Sequence, residues 1–126
     1  MKKILLVEDD SKITLALGIR LRHTGYEVVT APDAIGAMAQ ALKHAPDVVV
    51  LDINLPGGDG FLVAERLRSQ SVTATVPVIF ITASKLPGLV GRAKQLGAVA
   101  FLEKPFSASQ LADALESALG EGRAAA

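Results

Sequence analysis

The sequence predicts an α/β domain: a doubly wound parallel sheet of five strands, with five helices covering its two faces. Three observations carry this. Short apolar runs alternate with helix-spaced segments five times along the chain. The runs Ile4-Leu5-Leu6-Val7 and Val48-Val49-Val50-Leu51 are apolar throughout, as expected of strands covered on both sides. Several of these runs end in acids or other reactive groups, at the edge where an open parallel sheet binds its ligands.

Ile4 to Val7 is the first strand, ended by Glu8-Asp9-Asp10. Ser11 to Thr24 carries Ile13, Leu17 and Leu21 at helical spacing, with Asp10 or Ser11 as N-cap and Gly25 at its C-terminal end. Glu27 to Ala31 is a short strand. Pro32-Asp33 opens a helix running to about Lys43, with Ile35, Met38, Ala39 and Leu42 expected inward and Pro46 as its stop. Val48 to Leu51 is the central strand, too short for a helix and rich in β-branched residues; Asp52 ends it, and a turn follows with Pro56, Gly57, Gly58 and Gly60.

Phe61 to Arg68 reads as a helix with Phe61, Ala64 and Leu67 apolar. Val76 to Thr82 is the fourth strand, with Pro77 tolerable near its start. Leu89 to Leu96 is a short helix closed by Gly97, and Val99 to Leu102 is the fifth strand, leading into Glu103-Lys104-Pro105-Phe106. Ser107 to Leu119 is the last helix, opened by a capping box of Ser107 with Gln110 and a staple of Phe106 on Leu111. Residues 1–119 form one domain by this reading, and 120–126 a small, polar tail or the start of a linker.

Composition narrows the function classes. A domain of 126 residues buries roughly two thirds of its unfolded surface and needs no staple. Without cysteine, disulfides, zinc-thiolate sites and thiol catalysis are excluded. Lys plus Arg balances Asp plus Glu at 13 each, with no basic run, which argues against direct nucleic-acid binding by this chain. No apolar stretch approaches the roughly 20 residues needed to span a bilayer. Met1-Lys2-Lys3 and the run after it are too short for a signal peptide, so the expectation is a soluble cytoplasmic protein.

The chemistry collects at one edge. With the strand order 2-1-3-4-5, the first and third strands are neighbours, so Glu8, Asp9 and Asp52 converge. Crowded carboxylates repel one another, and a hard divalent cation such as Mg2+ resolves the conflict while leaving room for a phosphoryl group. Lys104 offers a point charge and Thr82 a hydroxyl for phosphoryl oxygens, and Asp52 can act as a nucleophile toward phosphorus. Each part has a plainer reading. Asp52 can cap the next turn, Glu8-Asp9-Asp10 suits a helix N-terminus, and Thr82 and Lys104 are ordinary strand-end and surface residues. Their shared edge is the signal. His23 and His44 lie near helix C-termini, where the dipole favours them.

Together ILLVEDD, VVVLDINLPGGDG, IFITA and FLEKPF make the chain resemble the receiver domain of two-component response regulators, from Lys2 to about Leu119. The resemblance implies a flavodoxin-like, CheY-like fold and a phosphoacceptor switch rather than an enzyme, one that assists its own phosphorylation and dephosphorylation. It implies that Asp52 accepts the phosphoryl group from a sensor histidine kinase or histidine phosphotransfer protein. Mg2+ would be held by Glu8, Asp9, Asp52 and the backbone carbonyl of Asn54. Lys104 would bind the phosphoryl group, Thr82 and Phe101 would be the switch pair, and Asn54 and Ser84 would tune the reaction. The bond Lys104-Pro105 is expected cis. A homodimer through the fourth helix, fifth strand and fifth helix is a possible output. Ser84-Lys85-Leu86-Pro87-Gly88 is an unusual approach to the fourth helix, and AVAFLEK lacks the acidic pair of the OmpR-like subfamily.

Two rivals share parts of this pattern. A phosphatase of the haloacid dehalogenase kind needs a second Asp two residues after the nucleophile, where this chain has Asn54. An FMN carrier needs a Ser-, Thr- and Gly-rich loop after the first strand, where Glu8-Asp9-Asp10 would repel phosphate. Turnover of a generic phosphomonoester would mark the first, and a yellow purified protein the second.

Overall fold

The structure is a computed structural model describing residues 1–120. The tail expected over 120–126 lies outside the described residues except for Gly120, which ends the last helix at φ 69°. The elements run β1 (Lys3–Val7), α1 (Ser11–His23), β2 (Glu27–Ala31), α2 (Ala34–His44), β3 (Val48–Asp52), α3 (Gly60–Ser69), β4 (Val78–Thr82), α4 (Leu89–Gln95), β5 (Ala100–Glu103) and α5 (Ala108–Leu119). All strand pairs are parallel, in the order β2-β1-β3-β4-β5. The expected fold class and strand order are both found.

Alternation along each strand splits the core in two. Ile4, Leu6, Val48, Val50, Ile79 and Ile81 pack with Leu21 of α1 and with Leu111 and Leu115 of α5. Leu5, Val7, Val49, Leu51, Val78 and Phe80 face the other way, onto α2, α3 and Ala93 of α4. Both sides of β1, β3 and β4 are therefore buried, which is why those strands read as unbroken apolar runs.

Helix starts follow their caps. Asp10, Asp33 and Asp59 accept from backbone amides of the first turns of α1, α2 and α3. The capping box of Ser107 with Gln110 is present, and Phe106 and Leu111 share one core cluster. β4 starts at Val78 rather than Val76: the amide of Val76 bonds instead to Thr73 in the preceding turn.

The inward face of α2 differs from expectation. Ile35, Ala39 and Leu42 are exposed, Ile35 at 73% and Leu42 at 44%, while Met38 is half-buried. The buried stripe is Ala34, Ala37 and Ala41. These small residues let the helix axis approach the sheet closely, and the bulky stripe then has no room inside.

Candidate functional site

Register and alternation build the site. Val7 pairs with Leu51, so the next residues, Glu8 and Asp52, leave neighbouring strands side by side. Counting in steps of two, Glu8 follows Ile4 and Leu6, Asp52 follows Val48 and Val50, and Lys104 follows Ala100 and Leu102. All three therefore belong to one face of the sheet. Thr82 follows Val78 and Phe80 and belongs to the other face, beside the register pair of Phe80 with Phe101.

Glu8 and Asp52 are buried, at 2% and 3% exposure, and Asp9 is exposed. One carboxylate oxygen from each lies within 4.8 Å of the others. The Lys104 ammonium stands 2.8 Å from Asp52 Oδ2 and also donates to Glu8 Oε1. Asp52 Oδ1 accepts from the backbone amide of Asn54 at 3.0 Å, and Glu8 Oε2 from that of Asp10 at 3.2 Å. Both buried acids are thus gripped at both oxygens. Lys104-Pro105 is cis, as expected.

Burial pushes the Glu8 carboxyl above its usual range, with the negative charge of Asp52 adding to the rise, against the lowering pull of its hydrogen bonds to Lys104 and Asp10. Burial also works against the charge on Lys104, but its hydrogen bonds to Asp52 and Glu8 outweigh that, and its pKa ends raised. The lysine is a fixed cation.

Thr82 is fully buried, and its hydroxyl oxygen accepts from the Ser84 amide at 3.0 Å and from Asn54 Nδ2 at 3.3 Å. The Ser84 hydroxyl accepts in turn from the Leu86 amide at 3.3 Å, a local turn that shapes the approach to α4. Asn54 and Ser84 thus meet at the Thr82 hydroxyl, rather than at Asp52 by their side chains. Phe101 is half-buried against the α2–α3–α4 side of the core. It lines a cavity of about 500 Å³ with Lys85, Val90 and Lys104.

Gly60 was legible only as a turn glycine. A Cβ there would sit 2.4 Å from the Asp52 carbonyl oxygen and 2.8 Å from Ile53 Cα. Its absence lets the start of α3 rest directly on the strand end that carries Asp52, with the Gly60 amide bonded to Ile53 O at 2.7 Å. A glycine immediately after a helix-capping Asp59 was the available signal.

The donor set tests for a metal. Three carboxylates in mutual reach, two of them buried, are hard oxygen donors whose repulsion a small divalent cation relieves. That chemistry fits Mg2+ and does not fit a soft metal, which prefers sulfur or nitrogen. Among the described residues no helix is long and apolar enough to cross a membrane.

A family profile described as "Response regulator receiver domain" matches residues 4–116. The transcriptional regulatory protein PdtaR of Mycobacterium tuberculosis is 37% identical over 123 residues, covering 97% of this chain and 58% of that protein. The chain spans about half the length of the curated relatives it matches. Among solved structures, the chemotaxis protein CheY4 of Vibrio cholerae aligns with a TM-score of 0.88 and 34% identity, over 94% of this chain and 99% of that one. The receiver domain of sensor histidine kinase PA1611 from Pseudomonas aeruginosa, with a magnesium ion coordinated in its active site cleft, aligns with a TM-score of 0.86 and 32% identity, over 95% and 98%.

Proposed function

This chain belongs to the response regulator receiver domain family, and from that premise we propose that Asp52 is its phosphoacceptor, charged by a histidine kinase or histidine phosphotransfer protein. The observation that carries the reading is the grip on the Asp52 carboxylate: Lys104 Nζ at one oxygen and the Asn54 amide at the other, at the end of a buried strand.

In this reading a carboxylate oxygen of Asp52 attacks the phosphorus of a phosphohistidine. The O–P bond forms as the P–N bond breaks, and the imidazole leaves with a proton from solvent. Lys104 neutralises charge that builds on the phosphoryl oxygens, and its raised pKa keeps it protonated throughout. Glu8, Asp9, Asp52 and the carbonyl of Asn54 are the residues that would hold Mg2+. When bound, Mg2+ supplies charge neutralisation and orientation of the phosphoryl group. Thr82 then turns its hydroxyl toward a phosphoryl oxygen, releasing Asn54 or Ser84, and Phe101 follows inward. Asn54 and Ser84 tune this step by how firmly they hold the hydroxyl.

The chain is by this reading a switch rather than a turnover enzyme, working in the cytoplasm where ATP-fed kinases supply phosphoryl groups. Its output face is α4, β5 and α5, which a second copy of the chain can use. Incubation with Mg2+ and acetyl phosphate should add one phosphoryl group, and Asp52→Asn should abolish it. Labelling that persists in the Asn variant sinks the assignment.

A further inference from the structure

α4 is the most weakly tied helix around the sheet. It has seven residues, no side-chain cap at its N-terminal Gly88, and Ala93 as its one buried residue. Besides Ala93 and the half-buried Leu89 on the core, Arg92 ties it to α3. Its guanidinium lies 4.6 Å from the centroid of the Phe61 ring, and Nη2 stands 3.7 Å from Glu65 Oε1. Both partners belong to α3. Phe61 is 2% exposed, so the arginine lies over an otherwise buried ring.

Phe61 is not a neutral anchor. It follows Gly60, whose amide and missing Cβ seat the start of α3 on the backbone of Asp52 and Ile53. Its ring also meets Phe80 at 5.1 Å between centroids, and Phe80 pairs in register with Phe101. One contiguous set of contacts therefore joins the strand end carrying Asp52 to α4, through Phe61 and Arg92.

We propose that Arg92 is a latch on α4: its stacking on Phe61 and its pairing with Glu65 hold α4 against α3 in the unmodified protein and set how readily the helix moves when Asp52 is modified. The proposal rests on the switch reading above. A latch made only in the resting arrangement opposes modification by its own free energy, because a ligand shifts such a balance only by its differential affinity for the two arrangements. An exposed or half-exposed cation–π contact corresponds to roughly a two- to fivefold change in an equilibrium constant. The Glu65 pair, half-exposed on both sides, adds little.

The test uses the whole chain with Mg2+ and beryllofluoride, which mimics the phosphoryl group on Asp52, followed by amide NMR. Arg92→Met keeps aliphatic cover over Phe61 but removes the cation. It should bind the mimic roughly two- to fivefold more tightly than the unsubstituted chain. Before addition, its α4 amides should already be displaced toward their mimic-bound positions. Glu65→Gln should change the affinity less than twofold. Arg92→Lys keeps the charge with poorer stacking and should fall between; it is the deciding variant if Arg92→Met does not fold. Equal affinities with unmoved α4 amides in a folded Arg92 variant overturn the latch while leaving the switch standing. No binding of the mimic to the unsubstituted chain overturns the switch reading and the latch with it.

Discussion

Lys104 Nζ sits 2.8 Å from Asp52 Oδ2 and at the same time bonds to Glu8, so a single cation bridges the two buried acids of the site. The lysine serves as internal counter-ion to both, across β4 to Asp52 and across β4 and β3 to Glu8. With the exposed Asp9, three carboxylates face this one ammonium, so the site carries a surplus of negative charge.

That surplus predicts a trade between stability and binding. Asp9→Asn removes repulsion without emptying a buried position. It should stabilise the metal-free protein by up to about 1 kcal/mol and weaken Mg2+ binding by at least about tenfold. Thermal melts with and without Mg2+ measure both. A variant that melts lower without metal would contradict the charge surplus.

Glu8 gives a pH signature. Its folded pKa is raised above the usual 4.5, mainly by burial. Its contribution therefore favours the folded state fully below about pH 4.5 and is lost as pH rises through the raised value. Metal ligands must be deprotonated, so the gain in Tm on adding Mg2+ should grow across the same window. Glu8→Gln should flatten both trends. A Mg2+ effect independent of pH there would count against Glu8 as a ligand.

The two glycines Gly60 and Gly91 should respond in opposite directions. Gly60→Ala forces a Cβ into the Asp52 carbonyl and should cost roughly 1–3 kcal/mol, with slower labelling by acetyl phosphate. Gly91 lies inside α4 with open space around a built Cβ, so Gly91→Ala should gain about 0.5–1 kcal/mol. Urea titration of the pair reads the contrast within one chain.

Thr82→Val keeps the shape but deletes the acceptor used by the Ser84 amide and by Asn54 Nδ2. The cost should be about 1 kcal/mol. Labelling of Asp52 should survive, since neither grip on its carboxylate involves Thr82. The amide shifts of Ser84 to Val90 on adding beryllofluoride should be largely lost. Full shifts in the Val variant would remove Thr82 from the switch.

The order of strands and helices was legible because its signals are local. β1 and β3 are unbroken apolar runs, since both their faces are buried, and the caps Asp10, Asp33 and Ser107 mark helix starts by residue type. The convergence of Glu8, Asp9 and Asp52 also followed from sequence, because parallel register carries adjacent strand ends to one edge.

Tertiary structure alone decided the rest. α2 carries a bulky apolar stripe, Ile35 with Leu42, and a small one, Ala34 with Ala37 and Ala41. Periodicity admits both, and residue size pointed to the wrong one, because apolar residues inside is a rule with many exposed exceptions. The distance between helix and sheet chose the alanines. The sharing of Lys104 between two acids, the tie of Asn54 to Thr82, the fit of Gly60 on Asp52 and the stacking of Arg92 on Phe61 each depend on how far apart two remote segments come to rest. Sequence spacing carries residue type and face; it does not carry the separations of a few ångströms that decide which of those groups touch.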